Sequence, residues 1–234
     1  ARATRRAREI RLGKAWNAEG LRKPGPPSRQ SAGTTQVSVV DGKGNAVAIT
    51  QTLGDDWGSG AAAGSLGFPY NSFLSWFELE DPAHGSHLRP NALLPTSVAP
   101  TIVLRDGAVE MVLGSAGSSR ISSSIVTVLR NVIDGRMSLP DAVAAPRVLW
   151  QEDGGERRLI AEASVPVTEA VLAELAVRGY VDQYAVREPG WELVKLGGVN
   201  SVGWHAAAGA WEGVGDPRRR GVTAAPERIT PRAR

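Results

Sequence analysis

The segment that most constrains this chain is a β-branched run at 34–40 that begins directly after a glycine. Residues 22–33 before it are rich in proline and glycine, which is typical of a linker. Gly33 permits the backbone distortion that an N-to-O acyl shift requires. Cleavage before Thr34 would leave a free α-amine beside the hydroxyl of the same residue, so nucleophile and base would share one residue. The segment therefore indicates either a self-cleaving N-terminal nucleophile or an ordinary strand start.

The composition suits a globular protein. The chain has 234 residues, of which 42% are hydrophobic and 22% charged, enough for one domain of ordinary size. The absence of cysteine excludes disulfides, thiolate metal sites and a cysteine nucleophile. No apolar run approaches the roughly 20 residues that cross a bilayer, and the basic N-terminus lacks the apolar core of a secretory signal. We therefore expect no membrane span.

The positive charge of the chain is concentrated at its two ends. Residues 1–33 carry nine basic and two acidic residues, and residues 216–234 carry six and two. The remaining 34–215 hold 12 basic and 20 acidic residues, a net charge of −8. Nucleic-acid binding requires a basic patch on a folded face, and the acidic body does not supply one. We expect no nucleic-acid partner.

Hydrophobic patterning and turn signals predict layers of sheet and helix, an α+β fold. A basic helix is expected at 1–21, and the Gly/Ala/Ser-rich stretch 54–67 is expected to be a functional loop. The predicted strands are 35–40, 45–53, 100–105, 108–114, 147–151, 158–162, 180–186, 201–206 and 210–213, and the later helices are 120–134, 139–144 and 166–178.

Three details of the helices follow from capping and periodicity. Ser138 is expected to cap the helix 139–144. For the helix 166–178 we expect Gly179 as the stop signal. The buried stripe of that helix is predicted to be Val167, Val171 and Leu175.

Two further segments are candidates for chemistry. Gly114–Arg120 follows a strand and opens a helix, and backbone N–H groups at a helix N-terminus can stabilise an oxyanion. The alternative is a simple helix cap, because serine is a common capping residue. Thr96 and Ser97 are adjacent hydroxyls before a strand, suited to a substrate carboxylate or to an ordinary turn.

Other sites are not supported. The stretch 58–64 lacks the glycine spacing and following helix of a dinucleotide loop, and no phosphate-binding loop or Gly-x-Ser-x-Gly elbow is present. His84, His87 and His205 lack the spacing of metal ligands, so we expect no metal site.

Taken together, these segments resemble the small subunit of the γ-glutamyltranspeptidase family over residues 33–218. The matching segments, in the family's order, are Gly33-Thr34-Thr35 with Ser38-Val39-Val40-Asp41, Gly44-Asn45-Ala46-Val47, Thr50-Gln51-Thr52-Leu53, Pro95–Thr101, Gly114–Ile121, Ala144-Ala145-Pro146-Arg147 and Gly215-Asp216-Pro217-Arg218. One such motif would be weak evidence for the resemblance, whereas seven in the same order are specific to the family. The resemblance implies an αββα N-terminal-nucleophile hydrolase sandwich, with this chain supplying its C-terminal half and no cofactor required.

The resemblance also implies roles for individual residues. Thr34 would be the nucleophile, with its own freed amine as the base, and Thr52 would orient the Thr34 hydroxyl. Gly117 and Ser118 fall at oxyanion positions that two glycines usually occupy. The backbone N–H survives a change from glycine to serine, so the role can persist.

The substrate-binding positions depart from the family pattern. Thr96 and Ser97 match the paired serines at the substrate carboxylate. Gly54 replaces an asparagine, and the residues that hold the glutamyl α-amino group fall on Phe73 and Trp76. A buried ammonium without its carboxylate loses on the order of several kcal/mol. We therefore expect weakened γ-glutamyl recognition and a preference for acyl groups without the α-amine, such as glutaryl or other dicarboxylic monoamides.

The expected partners are a large subunit from the upstream part of the same precursor, a small-molecule amide, and water or an amine acceptor. Residues 1–33 would be the tail of that subunit and a linker, 34–218 the catalytic region, and 219–234 an Arg-rich tail. The alternatives are a catalytically inactive relative that serves as a binding or structural module, and a truncated fragment. The sequence leaves the acyl donor, the acceptor and the compartment open.

Overall fold

A computed structural model describes residues 33–94, 96–153, 156–180, 183–187 and 196–225. The chain divides into two compact units. The hairpin unit consists of the described residues of 34–52, 97–145 and 194–234, and the loop unit consists of those of 1–33, 53–96 and 146–193. The predicted helix at 1–21, most of the linker and the end of the Arg-rich tail lie outside the described residues.

The hairpin unit begins with the antiparallel pair β1 (Thr34–Val40) and β2 (Ala46–Thr52). Asp41 organises the turn between them, because its carboxylate accepts the backbone N–H groups of Lys43 at 2.8 Å and Asn45 at 2.9 Å. The Asn45 side chain also donates to this carboxylate, and together these hydrogen bonds lower the pKa of Asp41. The strands predicted at 35–40 and 45–53 are confirmed, and they pair as an antiparallel hairpin.

A four-stranded antiparallel sheet in the order β3-β4-β8-β9 forms the centre of this unit. Its strands are β3 (Thr101–Arg105), β4 (Ala108–Ala116), β8 (Gly198–His205) and β9 (Ala210–Val214). Asp106 and Gly107 both have positive φ, as a two-residue hairpin turn between β3 and β4 requires. β8 starts three residues earlier than predicted, because its ladder with β4 continues to the Ala116–Gly198 pair.

Two helices, α1 (Ile121–Ile133) and α2 (Leu139–Ala144), cover one face of this sheet. Gly203 on β8 faces Leu139, whereas Asn200, on the opposite face of β8, contacts β1. The hairpin therefore lies on the sheet face opposite the helices, a helix–sheet–hairpin order. The core between helices and sheet consists of Met111, Leu113, Ile121, Ile125, Val128, Leu139, Ala142, Val143 and Val199.

The capping prediction for α2 is confirmed. The Ser138 side chain accepts the backbone N–H of Asp141 at 3.2 Å, and a proline follows in the first turn. The helix predicted at 120–134 is confirmed as α1, and its residues Ile121, Ile125 and Val128, at helical spacing, are buried. Burying side chains of this size contributes about 1.5–3 kcal/mol each.

The loop unit contains the three-stranded sheet β5-β6-β7. β5 (Val148–Asp153) pairs with β6 (Glu156–Glu162) antiparallel, and β6 pairs with β7 (Gln183–Arg187) parallel. The parallel connection carries α3 (Glu169–Val177).

Two expectations for α3 were wrong. The helix begins at Glu169 and not at 166, because Thr168 adopts an extended conformation and its hydroxyl accepts the Val171 N–H. No residue of α3 is buried, and Val171 is 47% exposed. Periodicity shows which face of a helix is apolar, whereas burial depends on whether a neighbour covers that face. Gly179 follows the helix with φ +76°, as the predicted stop signal requires.

Residues 53–94, all of them described, contain two short 3₁₀ turns and isolated β-bridges but no α-helix. The loop conformation predicted at 54–67 is therefore confirmed, and a functional role for this loop stays a prediction. No helix in the described part of the chain is long and apolar enough to cross a bilayer.

Candidate active site

Thr34 and Thr52 face each other at the open end of the β1–β2 hairpin. They are register partners, and the Thr34 hydroxyl donates to the Thr52 hydroxyl at 2.9 Å. The hairpin turn fixes this pairing, since a register shift of one residue would place the two side chains on opposite faces of the hairpin. Both residues are half-buried. The structure thus brings together the predicted nucleophile and the threonine predicted to orient it.

The Gly33–Thr34 peptide bond is fixed by a hydrogen bond to its carbonyl oxygen and by close packing around Gly33. The carbonyl oxygen of Gly33 accepts the backbone N–H of Leu53 at 3.0 Å. A Cβ at position 33 would lie 2.7 Å from the carbonyl oxygen of Asp55, closer than carbon and oxygen tolerate. Glycine is therefore required at 33 for close packing, a reason the sequence did not reveal.

The turn after β4 places two residues in the left-handed half of φ space. Gly117 has φ +143°, a backbone conformation that residues with a side chain rarely adopt. A Cβ added there would also lie 2.8 Å from the Cα of Gly197, so both the backbone conformation and the close packing require glycine. Ser118 has φ +57°, which is unfavourable for a residue with a side chain. No side chain caps the 3₁₀ turn 118–120 or the helix α1 that follows it, so the simple capping alternative is not supported.

Ser97 supports this turn. Its hydroxyl donates to the Ser118 carbonyl oxygen at 2.7 Å, and the Ser122 hydroxyl donates to the Ser97 carbonyl oxygen at 3.4 Å. A substrate carboxylate would need the proton that Ser97 already donates to Ser118. Thr96, its neighbour in sequence, is exposed.

The three predicted acyl-binding positions lie together in the loop unit. Gly54 is buried with φ +87°, and a methyl group there would overlap the Ser72 hydroxyl and approach the Phe73 ring. The rings of Phe73 and Trp76 lie 4.6 Å apart at an angle of 35°. Ser72 fixes this loop, since its backbone N–H donates to Leu53 O at 2.8 Å and its hydroxyl accepts the Asp55 N–H.

A buried polar network in the hairpin unit was not predicted as functional. Asp216 is fully buried, and its carboxylate accepts the Val199 N–H at 2.8 Å and the Arg218 N–H at 3.0 Å. The Arg218 guanidinium contacts Asp216 and donates to the carbonyl oxygens of Val143 and Ala145 at the end of α2. The sequence signal was the Asp216-Pro217-Arg218 motif, whose partners periodicity does not indicate.

The histidines take part in turns. His84 Nδ1 accepts the Ser86 N–H, and His205 Nδ1 accepts the Ala208 N–H. Within the described ranges, no three side chains of the metal-binding types lie close enough together to hold a metal ion.

Comparison with known proteins places these residues in a family context. A family model described as gamma-glutamyltranspeptidase matches residues 1–226. A glutathione hydrolase proenzyme of Pseudomonas aeruginosa is 33% identical over 205 residues, which are 84% of this chain and 35% of that protein. The acylase ACY 1 proenzyme of Pseudomonas sp. strain SE83 is 32% identical over 214 residues, 89% of this chain and 35% of that protein.

A solved structure shows the same fold. The gamma-glutamyltranspeptidase from Pseudomonas nitroreducens complexed with L-DON matches with a TM-score of 0.66 and 34% identity. That match covers 82% of this chain and 100% of the solved chain. The present chain thus spans about a third of the length of the curated relatives, which are proenzymes.

Proposed function

Because this chain belongs to the γ-glutamyltranspeptidase family, we propose that it is the nucleophile-bearing part of a self-processing amide hydrolase or acyltransferase. The observation that carries this proposal is the 2.9 Å hydrogen bond between the Thr34 and Thr52 hydroxyls directly after Gly33. The region 34–218 is then the catalytic region, with residues 1–33 contributed by the large-subunit side of the precursor.

Self-cleavage would proceed at the Gly33–Thr34 peptide bond. The Thr34 hydroxyl oxygen attacks the Gly33 carbonyl carbon, the C–N bond breaks, and the Thr34 nitrogen takes up a proton to become a free amine. Water then hydrolyses the resulting ester and leaves a Gly33 carboxylate. The Leu53 N–H that already binds the Gly33 oxygen would stabilise the negative charge that develops there.

The mature site would use the freed Thr34 amine as a general base. The amine accepts the proton of the Thr34 hydroxyl as the oxygen attacks the substrate amide, and Thr52 orients that hydroxyl. The backbone N–H groups of Gly117 and Ser118 would bind the oxyanion. The leaving amine takes the proton, and water or a second amine then releases the acyl group from Thr34.

We further propose an acyl group without an α-amine as the preferred donor, such as glutaryl or another dicarboxylic monoamide. At the positions where the family holds the glutamyl α-amino group, this chain has Phe73 and Trp76, whose rings lie 4.6 Å apart and would supply no carboxylate to an ammonium group. The comparison is kcat/KM for glutaryl against γ-glutamyl p-nitroanilide. Faster turnover of the glutaryl compound is expected, and faster turnover of the γ-glutamyl compound would contradict this substrate class.

A large subunit is the proposed partner. The outward face of the β1–β2 hairpin carries two cross-strand apolar pairs, and each of these residues is 48% exposed: Val37, Ile49, Val39 and Val47. An apolar patch of this kind marks an interaction surface. We therefore expect the chain expressed by itself to be poorly soluble and inactive.

The decisive experiment is the intact mass of protein purified from the full reading frame that encodes this chain. A species that begins at Thr34, absent from Thr34→Ala, supports self-processing and the proposed nucleophile. A protein of unprocessed mass that hydrolyses neither anilide would favour the alternative of an inactive relative with a binding or structural role.

A further inference from the structure

Gln36 is a polar side chain on the face of β1 that packs against the central sheet. It lies two residues after Thr34 and is only 3% exposed. Burying an amide costs free energy unless its hydrogen-bonding groups are satisfied, so an apolar residue would be the ordinary choice at such a position. A buried glutamine so close to the nucleophile calls for a specific explanation.

Every polar group of the Gln36 side chain is engaged within the hairpin. Its amide nitrogen donates to the Ser38 hydroxyl and to the Val37 carbonyl oxygen, both at 3.0 Å. Its amide oxygen accepts the hydroxyl of Thr50 on β2. The side chain thereby holds β1 and β2 together just beyond the Thr34–Thr52 pair.

The same residue also fixes the hairpin to the sheet. The amide end of Gln36 lies over Gly114 on β4, where a methyl group would overlap it. Asn200, the register partner of Gly114 on β8, donates its side-chain N–H to the backbone carbonyl oxygen of Gln36 at 3.1 Å. The Ser38 hydroxyl in turn donates to the Asn200 carbonyl oxygen at 2.9 Å. Gly114 thus leaves the space that the Gln36 amide occupies, which a residue with a side chain would fill.

The contact between Gln36 and Gly114 links Thr34 to the Gly117–Ser118 turn, because Gln36 lies on the same strand as Thr34 and Gly114 lies on the strand that ends directly before the turn. Gln36 is about 7 Å along β1 from Thr34, and Gly114 is about 7 Å along β4 from Ala116, the residue before Gly117, at about 3.3 Å per residue. Any shift of Gln36 over Gly114 would move Thr34 relative to the Gly117–Ser118 turn. A displacement of about 1 Å in such a site can reduce the rate about 100-fold.

We propose that Gln36, seated on Gly114 and held by Asn200, is a positioning residue that sets the placement of Thr34 against the Gly117–Ser118 turn. This inference rests on the proposed function, since it takes Thr34 as the nucleophile. Gln36 itself need not touch the substrate, because it acts through the strand that carries Thr34.

The test uses the full-length precursor with Gln36→Ala, Gly114→Ala and the double variant. The two measurements are the rate of self-cleavage and the kcat and KM for anilide hydrolysis, normalised to the amount of chain that begins at Thr34. Each single variant is expected to lower both the cleavage rate and kcat by about 10- to 100-fold, with KM changing less than about threefold. In the double variant, the new methyl group occupies space that the glutamine has vacated. Its kcat is therefore expected to be no lower than that of Gln36→Ala, a strongly non-additive result.

Two further variants separate positioning from general stability. Asn200→Ala removes the bond to the Gln36 backbone carbonyl oxygen, and with it the bond that Asn200 Oδ1 accepts from the Asp216 N–H. It is expected to reduce kcat per mature chain in the same direction. Gln51→Ala, the matched control, removes the same side chain from an exposed position on the neighbouring strand β2 and is expected to leave kcat and self-cleavage unchanged.

The results distinguish a failure of the positioning role of Gln36 from a failure of Thr34 as the nucleophile. If Gln36→Ala lowers only the melting temperature and the yield, while kcat per mature chain stays at the wild-type value, the positioning role is wrong. Additive losses in the double variant would also overturn it. If Thr34→Ala, measured in parallel, still processes itself and hydrolyses the anilides, the proposed function fails before the role of Gln36 is reached.

Discussion

The hydroxyl of Ser97 donates a 2.7 Å hydrogen bond to the carbonyl oxygen of Ser118, a residue with φ +57°. The bond joins the segment before β3 to the turn that precedes α1. It gives Ser97 a structural partner at the position where family resemblance predicts contact with a substrate carboxylate. Kinetics can separate these two roles.

Ser97→Ala removes the support of the Ser118 carbonyl. The loss of one such hydrogen bond costs about 1 kcal/mol of stability, and the freed turn would hold the oxyanion less well. We expect kcat to fall about tenfold or more, with little change in KM. Steady-state kinetics of the mature enzyme checks this, and a rise in KM at constant kcat would instead identify Ser97 as a ligand of the substrate carboxylate.

Ser118→Gly relieves the left-handed backbone conformation while keeping the backbone N–H. The relief of about 1 kcal/mol is partly offset by the greater freedom of glycine in the unfolded chain. We expect unchanged or slightly higher stability and self-cleavage at a rate close to wild type. Thermal melting and a processing time course measure both. A large loss of processing would show that the serine side chain itself takes part.

Gly117→Ala is expected to be severe. The added methyl would lie 2.8 Å from the Cα of Gly197, and this contact is with backbone that cannot rotate away. Overpacking of this kind typically costs about 1–3 kcal/mol, and the φ of +143° adds strain. The readout is soluble yield and self-cleavage on a denaturing gel. Gly42→Ala is the matched control, since nothing lies within 4 Å of its added methyl, and normal processing of Gly117→Ala would contradict the close approach of the two glycines.

Arg218→Met removes the cation that directly contacts the fully buried carboxylate of Asp216. Removing one partner of a buried pair typically costs about 3–5 kcal/mol, and here the bonds to the Val143 and Ala145 carbonyls are lost as well. We expect a large drop in the free energy of unfolding measured in urea. Because Asp216 also accepts the Val199 N–H, the double variant Asp216→Asn/Arg218→Met should be less destabilised than the sum of its single changes.

The sequence by itself determined the elements of the hairpin unit and singled out Thr34 and Thr52, which the structure pairs. Period-two alternation and an Asp-Gly turn define the β1–β2 and β3–β4 hairpins, and the 3.6-residue period defines α1. The order of short motifs was sufficient to identify the family. The strand, turn and helix signals are local, since each depends on residues a few positions apart.

Only the tertiary structure decided which neighbours these elements have. Ser124 looks like the serines beside it in the sequence, yet it is fully buried and donates to the Leu196 carbonyl oxygen. The α3 stripe is periodic but uncovered, and Gln36 meets Gly114 across 78 positions of sequence. Contacts over such separations depend on how layers pack, and the periodicity of one segment carries no information about the surface that will cover it.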